Sequence, residues 1–463
     1  MERAICLEAP WREPAAVLSA LAGRPWTIGF LSGGPNARWS YVAAEPHGTL
    51  HLEAGNGPDA FAALRAMIRD GELVKDGPPF QGGVAGLLSY DLADRLEDLD
   101  LRRLPGWPDL ACARYDALLA FDHQDRRTMA IGRGMSLDAA QARGAAALTW
   151  LNLPAPKAPS ARAQLSSSDG DAYEEAVAEV VARICAGEIF QANIARRWLG
   201  ELDGVDAPAD LLLRLASASP SPFAAFLSLP GGALVSNSPE RFLRVRRDGS
   251  VLVAETEPIK GTAPRGADPE EDRLLGEALR ASIKDRAENL MIVDLMRNDL
   301  ARVCTPGTVK TPELFRLASF ANVHHLVSRV EGRLAPGRDA VDLLRAAFPP
   351  GSITGAPKVQ AMKVIRDLEP PRGPFFGSMF HLGVDGTLDS NVLIRTAAML
   401  RTNEGWSLEV RAGAGIVADS DPRAERAETE TKISALAAAL GGAHAAVRSA
   451  TPGAAARASA RTT

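Results

Sequence analysis

Two segments of the chain carry pairs of acidic side chains at a spacing that could build a metal site. Asp285 and Glu288 are three residues apart in DRAENLMIVDLMRNDLARV, and Glu425 and Glu428 repeat that spacing near the C-terminus. Residues three apart share one face of an α-helix. Each pair alone is more often part of a solvated helix surface, with salt bridges on the second helix. Two facing helices with such pairs would suit Mg²⁺, which needs only one or two direct carboxylates, and the recurrence favours that interpretation.

Small residues precede the second acidic pair. Gly413, Ala414 and Gly415 lie in AGAGIVADSDP, and with Ala418 the glycines match a loose GxGxxA pattern. No strand and ribose-binding acid follow, so we reject a nucleotide-binding fold. We expect either a tight strand-to-helix turn or a helix N-terminus whose backbone N–H groups approach a substrate carboxylate.

The elements that must position these residues are helices. Asp268 followed by Pro269 indicates a helix start, a second helix is expected from Asp285, and Asp421 with Pro422 caps and opens a third. The second helix is apolar around most of its circumference, which predicts that it is buried. One face of the third helix carries Glu425, Glu428, Lys432 and Leu436.

The bulk composition favours a small-molecule enzyme. The 463 residues are 46% hydrophobic and 24% charged, and the formal net charge of −5 offers no basic field for nucleic acid or anionic lipid. Four dispersed cysteines without CxxC spacing suggest neither a zinc site nor a disulfide framework. The N-terminus does not resemble a secretory signal, and no apolar run is long enough to span a membrane. We expect a cytoplasmic protein that binds neither nucleic acid nor membrane.

Composition also predicts four regions. Residues 1–150 carry short strand-like runs from Trp26 and from Gly82, with a helical patch at Ala60–Ile68. Residues 151–170 are rich in Pro, Ala and Ser and indicate a linker. Residues 171–440 hold the motifs that carry chemistry. The small, basic segment 441–463 is predicted to be a disordered tail.

Ordered motifs across the second half resemble the chorismate-utilizing enzymes. Within that superfamily they are most similar to the component I family of aminodeoxychorismate synthases, and PFQGG and SYDL in the first half resemble it too. That resemblance implies an α/β (α+β) fold of two large antiparallel sheets packed as a sandwich with helices outside. The motifs are GEIFQANIARR, SPERF, PIKGTAPRG, DRAENLMIVDLMRNDLARV, VHHLVS, GSITGAPKVQAMKVI, LIRT and AGAGIVADSDP.

Two positions separate the activities of this superfamily. Gln191 stands where relatives that add water to chorismate have a lysine base, which disfavours water activation. Lys260 stands in PIKGT, where anthranilate synthases typically show PIAGT. The resemblance therefore implies that Lys260 attacks the chorismate ring and is later displaced by ammonia, giving 4-amino-4-deoxychorismate for 4-aminobenzoate and folate synthesis. Such a lysine must be neutral.

The resemblance also assigns the remaining roles. Glu240 is expected to protonate the departing hydroxyl and later to act as a base, and His325 to position the ring or transfer a proton. Mg²⁺ is expected on Glu288 and Glu428 directly, and on Asp285 and Glu425 through water. Substrate contacts are expected from Gln191, Thr262, Ser352, Thr354, Arg395, Gly413, Ala414, Gly415 and Lys432.

Some expectations stay open. Phe380 and His381 replace the usual Gly-Tyr pair of the family, so substrate positioning there is not assigned, and no clear tryptophan-binding effector site is found near Phe30 to Tyr41. No cysteine lies in a nucleophile elbow, so ammonia is expected from a separate glutamine amidotransferase subunit in a heterodimer. The alternatives are anthranilate synthase component I, which Lys260 opposes, and a catalytically idle amidotransferase partner.

Overall fold

A computed structural model describes residues 1–53, 55, 57–154, 160–167, 169–319 and 323–441. Within these residues the chain forms 21 strands and ten α-helices. The strands are β1 (Arg3–Ala9), β2 (Ile28–Leu31), β3 (Trp39–Ala43), β4 (Gly48–Leu52), β5 (Gly83–Leu88), β6 (Leu110–Tyr115), β7 (Ala117–Asp122), β8 (Arg127–Gly134), β9 (Gln191–Asp203), β10 (Phe223–Leu229), β11 (Gly232–Ser238), β12 (Arg241–Asp248), β13 (Val251–Thr256), β14 (Ile259–Pro264), β15 (Lys310–Ser319), β16 (Val323–Arg333), β17 (Gly355–Ala356), β18 (Ser378–Gly383), β19 (Leu388–Asn391), β20 (Thr396–Arg401) and β21 (Gly405–Ile416). The helices are α1 (Pro14–Leu21), α2 (Ala60–Met67), α3 (Leu137–Thr149), α4 (Gly170–Cys185), α5 (Ala207–Ala218), α6 (Pro269–Ala281), α7 (Ile283–Ala301), α8 (Ala340–Ala347), α9 (Lys358–Leu368) and α10 (Pro422–Ala439).

The strands form two large antiparallel sheets. The first has eleven strands in the order β1-β8-β7-β3-β2-β10-β11-β20-β21-β9-β17. The second has ten, in the order β14-β16-β13-β12-β19-β18-β5-β6-β4, with β15 paired to β16. The expected fold of two antiparallel sheets with helices is therefore confirmed.

Both sheets are built from both halves of the chain. In the first sheet β2 pairs with β10, and in the second β5 pairs with β18. The boundaries at residues 150 and 170 stay predictions about the sequence. In the structure, strands from residues 1–150 and from residues 171–440 are hydrogen-bonded within the same two sheets. The predicted linker is packed where it is described: Ala163 is buried, Ser166 pairs with Leu199, and α4 already begins at Gly170. Most of the predicted tail, residues 442–463, lies outside the described residues.

Apolar side chains fill two main layers. One core cluster joins residues of both sheets, among them Ile28 and Leu234 from the first and Val84 and Leu388 from the second. A second cluster packs α1, α5 and α10 against the opposite face of the first sheet. Because successive side chains of a strand point to opposite faces, the strands of the first sheet contribute to both clusters. In the described part of the chain, no helix is both long and apolar enough to cross a membrane.

The helix starts predicted from local signals are confirmed. Asp268 accepts hydrogen bonds from the backbone N–H groups of Glu270 and Glu271 at the start of α6, and Asp421 accepts one from Ala424 at the start of α10. The expectation that α7 is buried around its circumference is wrong. Leu290 is 50% exposed, while Ile292 and Met296 are buried, because only one side of the helix packs against the second sheet.

Candidate active site

The candidate site lies where the chain crosses from one sheet to the other. Glu240 occupies the short break between β11 of the first sheet and β12 of the second. The Ser238 hydroxyl donates to the Val392 carbonyl (2.6 Å) and accepts a hydrogen bond from the Glu240 backbone N–H (3.2 Å). These bonds fix the break and leave the Glu240 side chain buried between the sheets.

Lys260 approaches the same place from the edge of the second sheet. It lies on β14, and a β-carbon placed at Gly415 of the first sheet would be 2.8 Å from Lys260 Nζ. The next residue, Gly261, has φ +87°, and a β-carbon there would lie 3.0 Å from the Asp285 side chain. Glycine is thus required at both positions for the amine and the start of α7 to come this close.

Gly413, Ala414 and Gly415 lie inside strand β21, where they pair with Ala195, Ile194 and Asn193 of β9. The predicted positions in a turn or at a helix N-terminus are therefore wrong: the long pairing with β9 continues the strand to Ile416. Gly413 and Gly415 stand on the face directed into the site. Their peptide groups point away from β9, because the N–H groups of Ala195 and Asn193 donate elsewhere, to Glu369 and to Thr354.

Two side chains of β9 share that face. Gln191 and Asn193 are two residues apart and so project in the same direction. A β-carbon at Gly415 would lie 2.7 Å from Gln191 Nε2, and one at Gly413 would lie 2.7 Å from Asn193 Oδ1. Both side chains are buried, and both polar atoms of Gln191 and the Oδ1 of Asn193 have no hydrogen-bond partner among the described residues.

The acid and the amine have perturbed pKa values of opposite sense. Burial raises the pKa of Glu240 to about 7, against hydrogen bonds from Ser352 and Ile259 and the attraction of Lys260. Burial lowers the pKa of Lys260, and Lys432 lowers it further, while Glu288, Glu240 and Glu428 oppose the shift. Removal from water disfavours the charged form of each group. Burial therefore shifts both groups toward their uncharged forms.

Two cationic side chains border this pair. Lys432 on α10 donates from Nζ to the Gly413 carbonyl (2.8 Å) and forms an ion pair with Glu428 (2.6 Å). Arg395 precedes β20 with φ +51° and is close enough to Glu240 and His325 to influence their charges. Its guanidinium forms no hydrogen bond or ion pair with the described residues, which leaves its donors available to an anion.

His325 on β16 is held in its neutral form. Its Nδ1 lies 3.0 Å from the Thr262 hydroxyl. Burial lowers the pKa of His325 to about 4, and the nearby Arg395 contributes in the same direction. A neutral imidazole can position a substrate by hydrogen bonding, but near pH 7 it lacks the second, acidic proton of an imidazolium ion.

Comparison with known proteins identifies the family of this chain. A family model described as chorismate binding enzyme matches residues 28–438. The chain belongs to this chorismate-binding enzyme family. It is 41% identical to aminodeoxychorismate synthase component 1 of Klebsiella aerogenes, covering 92% of this chain and 97% of that protein. It is 40% identical to anthranilate synthase component 1 of Streptomyces coelicolor, with 92% and 86% coverage.

The fold is shared with a solved relative. Anthranilate synthase component I from Streptococcus pneumoniae superposes with a TM-score of 0.77 at 28% identity, covering 88% of this chain and 93% of that one. Family membership makes the chain a chorismate-utilizing enzyme. The two component 1 relatives are about equally similar, so overall identity does not separate their two activities.

In this chorismate-binding enzyme, acidic side chains of α7 and α10 are close enough for Glu425 to influence the charge of Glu288. Burial raises the pKa of Glu288, and the negative charges of Asp285 and Glu425 add to it against Lys260. Burial also raises the pKa of Glu425, with Glu428 contributing. Repulsion between carboxylates on separate helices is what a bound cation would relieve. Within the described ranges, no three acidic, histidine or cysteine side chains are placed as a complete metal ligand set.

The two remaining predicted contacts, Ser352 and Thr354, have different surroundings, and the unassigned His381 lies in an aromatic cluster. Ser352 is buried and its hydroxyl hydrogen-bonds Glu240, which places it at the site. Thr354 donates from its hydroxyl to the Pro350 carbonyl (2.8 Å), which favours a structural role in that turn. His381 packs its ring against Phe30, Tyr41 and Phe80 between the sheets, at centroid distances of 4.6 to 5.3 Å.

Two residues of the site were missed by sequence reasoning. Asn193 could have been found from the period of two along a strand, because it shares the face of Gln191. Arg372 is buried behind the site and donates to the carbonyls of Asn193 (2.7 Å) and Ile353 (3.0 Å) and to Glu369. It ties β9 to the turn that carries Ser352, and nothing in its local sequence indicates this.

Proposed function

We propose that the chain is component I of an aminodeoxychorismate synthase, which converts chorismate and ammonia to 4-amino-4-deoxychorismate. The observation that carries the proposal is Lys260, whose amine lies beside Gly415 with a lowered pKa, close to the buried acid Glu240 with a raised pKa. The Klebsiella aerogenes relative, named for this activity, supports it.

In the first step the neutral Lys260 amine attacks carbon 2 of the chorismate ring. The two ring double bonds shift, the bond between carbon 4 and its hydroxyl oxygen breaks, and Glu240 gives its proton so that water leaves. A carboxylic acid with a pKa of about 7 is half protonated at pH 7, whereas an ordinary glutamate is almost fully ionised there. The product of this step is a covalent adduct between Lys260 and the ring.

In the second step ammonia attacks carbon 4 of the adduct. The double bonds shift back, the bond between carbon 2 and the Lys260 nitrogen breaks, and the lysine leaves as a neutral amine. The new ammonium group at carbon 4 loses a proton to the Glu240 carboxylate, which restores the starting acid. Chorismate and ammonia are thereby converted to 4-amino-4-deoxychorismate and water, with no net change in the enzyme.

Substrate anchoring would come from charges around these two groups. Arg395 and Lys432 are suited to the carboxylates of chorismate, and the outward peptide N–H groups of Gly413 and Gly415 add donors. Mg²⁺ held by Glu288 and Glu428, with water on Asp285 and Glu425, would supply positive charge for the ring carboxylate. His325 and Thr262 would position the ring.

Ammonia would reach the site from a partner protein. The relatives of this chain are named component 1, which supports a separate glutamine amidotransferase subunit that forms a heterodimer with this chain. Free ammonium would replace that subunit in its absence. The second candidate function is anthranilate synthase component I, favoured by the 40% identity to the Streptomyces coelicolor protein.

Product analysis decides between these functions. The pure protein is incubated with chorismate, Mg²⁺ and ammonium, and the products are separated by chromatography. Aminodeoxychorismate is the expected product. Fluorescent anthranilate would instead identify an anthranilate synthase, and no product at all would indicate a catalytically idle partner of the amidotransferase.

A further inference from the structure

Lys260 lies on a bulge of an edge strand. β14 is at one edge of the second sheet, where it pairs with β16. Three steps along β14, from Ile259 to Thr262, oppose two steps along β16, so one extra residue is inserted where Lys260 and Gly261 stand. A bulge of this kind re-aims a side chain and interrupts the ladder of backbone hydrogen bonds. The strand that carries the proposed nucleophile is therefore weakly held by its own sheet.

A cluster of side chains beyond the end of β14 supplies further bonds. Asp272 of α6 accepts hydrogen bonds from the Gly266 backbone N–H (2.9 Å) and from two nitrogens of Arg265 (2.6 Å each). The same carboxylate lies 2.9 Å from His324 Nε2 on β16, and His324 Nδ1 lies 2.8 Å from the Ser319 hydroxyl on β15. These five residues are called the α6 latch below. They join α6 to the strands on which the site is built.

The chemistry of the α6 latch fixes the direction of its hydrogen bonds. The hydrogen bonds from Arg265 hold the pKa of Asp272 well below its usual range, so this carboxylate is ionised and can only accept. His324 Nε2 therefore carries a hydrogen, and Nδ1 accepts from the Ser319 hydroxyl. His324 is 3% exposed and is paired with Ala263 of β14. Its ring thus connects α6 to the strand pair next to Lys260.

Few apolar contacts hold α6 in place. Of its thirteen residues, Gly276 and Leu279 are the buried ones. A β-carbon at Gly276 would lie 2.8 Å from a Leu317 methyl group, and one at Gly266 would lie 2.1 Å from the Asp272 backbone nitrogen. Glycine permits both close approaches. Because so little apolar surface is covered, the hydrogen bonds of the α6 latch supply much of the attachment of this helix.

We propose that Asp272 and His324 are positioning residues for Lys260, an inference that rests on the proposed function. The bulge is fixed at both ends. At its start the Ser328 backbone N–H donates to the Pro258 carbonyl (3.2 Å), and beyond its end the α6 latch holds the chain. The bulged residues between these points then keep the amine at the site. Both positioning residues act through the strand and not on the substrate.

The test separates kcat from the KM for chorismate in Asp272→Asn and His324→Phe. The first variant removes the charge, and the second keeps a ring but removes both nitrogens. Displacement of the amine should lower kcat about 10-fold to 100-fold. The KM for chorismate should stay unchanged, because Arg395 and Lys432 lie on other elements. Glu270→Gln, at an exposed glutamate of the same helix, is the matched control and should change neither constant.

Amide hydrogen exchange tests the α6 latch without turnover. Residues 257–266 should exchange about tenfold faster in Asp272→Asn and His324→Phe than in wild type, and Glu270→Gln should leave the rate unchanged. Asp272→Asn is the milder change and serves alone if His324→Phe folds poorly. Unchanged exchange in the folded variants would overturn the α6 latch. Faster exchange with an unchanged kcat would make the cluster merely structural and overturn the positioning role.

Intact mass measured with chorismate but without ammonium separates this inference from the proposed function. Wild type should form the Lys260 adduct, and the variants should form it more slowly by the factor seen in kcat. An equal rate in wild type and variants would overturn the positioning role. If wild type forms no adduct, the lysine mechanism fails by itself, and the exchange of residues 257–266 still decides whether Asp272 and His324 hold the strand.

Discussion

Replacing Glu240 by glutamine should change how the stability of the protein depends on pH. In the wild type, burial raises the pKa of Glu240 from 4.5 to about 7, so the folded state binds a proton that the unfolded chain releases. Stability from this group is full below pH 4.5 and is lost as the pH rises through 7. The total loss corresponds to about 3 kcal/mol at high pH. Glutamine has the shape of the protonated acid and does not titrate.

The expected result is a pH-dependent gap between variant and wild type. Between pH 5.5 and pH 8.5 the free energy of unfolding of Glu240→Gln should rise by about 2 kcal/mol relative to wild type. Urea unfolding followed by the fluorescence of the seven tryptophans measures it at both pH values. Glu404→Gln, at an exposed glutamate, is the matched control and should show no such gap.

The same comparison in a Lys260→Ala protein tests the raised pKa of Glu240 in a second way. Lys260 attracts the Glu240 carboxylate and holds its pKa down, so the gap should widen when Glu240→Gln is introduced into Lys260→Ala. If the relative stability of Glu240→Gln does not change between pH 5.5 and 8.5, then Glu240 is not a protonated acid near neutral pH. The proposed proton donor would then be refuted.

Other perturbations test the remaining parts of the site. Lys260→Ala should abolish aminodeoxychorismate formation while calorimetry still detects chorismate binding; full retained turnover would exclude covalent catalysis. Glu288→Gln and Glu428→Gln should each raise the Mg²⁺ concentration for half-maximal activity, and an unchanged titration would remove that acid from the site. Arg372→Ala should lower the free energy of unfolding in urea by about 3 to 5 kcal/mol, because it leaves Glu369 as a buried unpaired charge; a loss below about 1 kcal/mol would contradict that role.

Local signals in the sequence were sufficient for the helices that carry the acids. Asp268 and Asp421 cap helices because a short carboxylate side chain reaches backbone N–H groups within three residues. The spacing of Glu425, Glu428 and Lys432 then fixes their common face. These features depend only on neighbours in the chain, so they could be predicted without the fold.

Features that depend on distant neighbours could not be predicted in the same way. The glycines at 413 and 415 suggest a turn, because glycine is disfavoured in the interior of a strand. The pairing of β21 with β9 along its whole length nevertheless keeps both glycines in a strand. The exposure of Leu290 follows from how α7 lies on the second sheet, which its apolar composition does not specify. Resemblance to the family supplied Lys260 and Glu240, but the pairing of both halves of the chain in each sheet was visible only in the structure.

The choice between two activities depends on a few atoms and not on the overall match. Identities of 41% and 40% to proteins with different activities show that one scaffold supports both reactions, so similarity over 460 residues carries little information about which bond is formed. An alanine at position 260 would remove the amine and leave both sheets intact. The residue on which the proposed choice between them depends is Lys260, whose pKa is lowered by burial and by Lys432 beside the buried acid Glu240. A lysine with a merely structural role would be expected to keep its charge and to pair with a carboxylate, whereas this one forms no hydrogen bond or ion pair with the described residues.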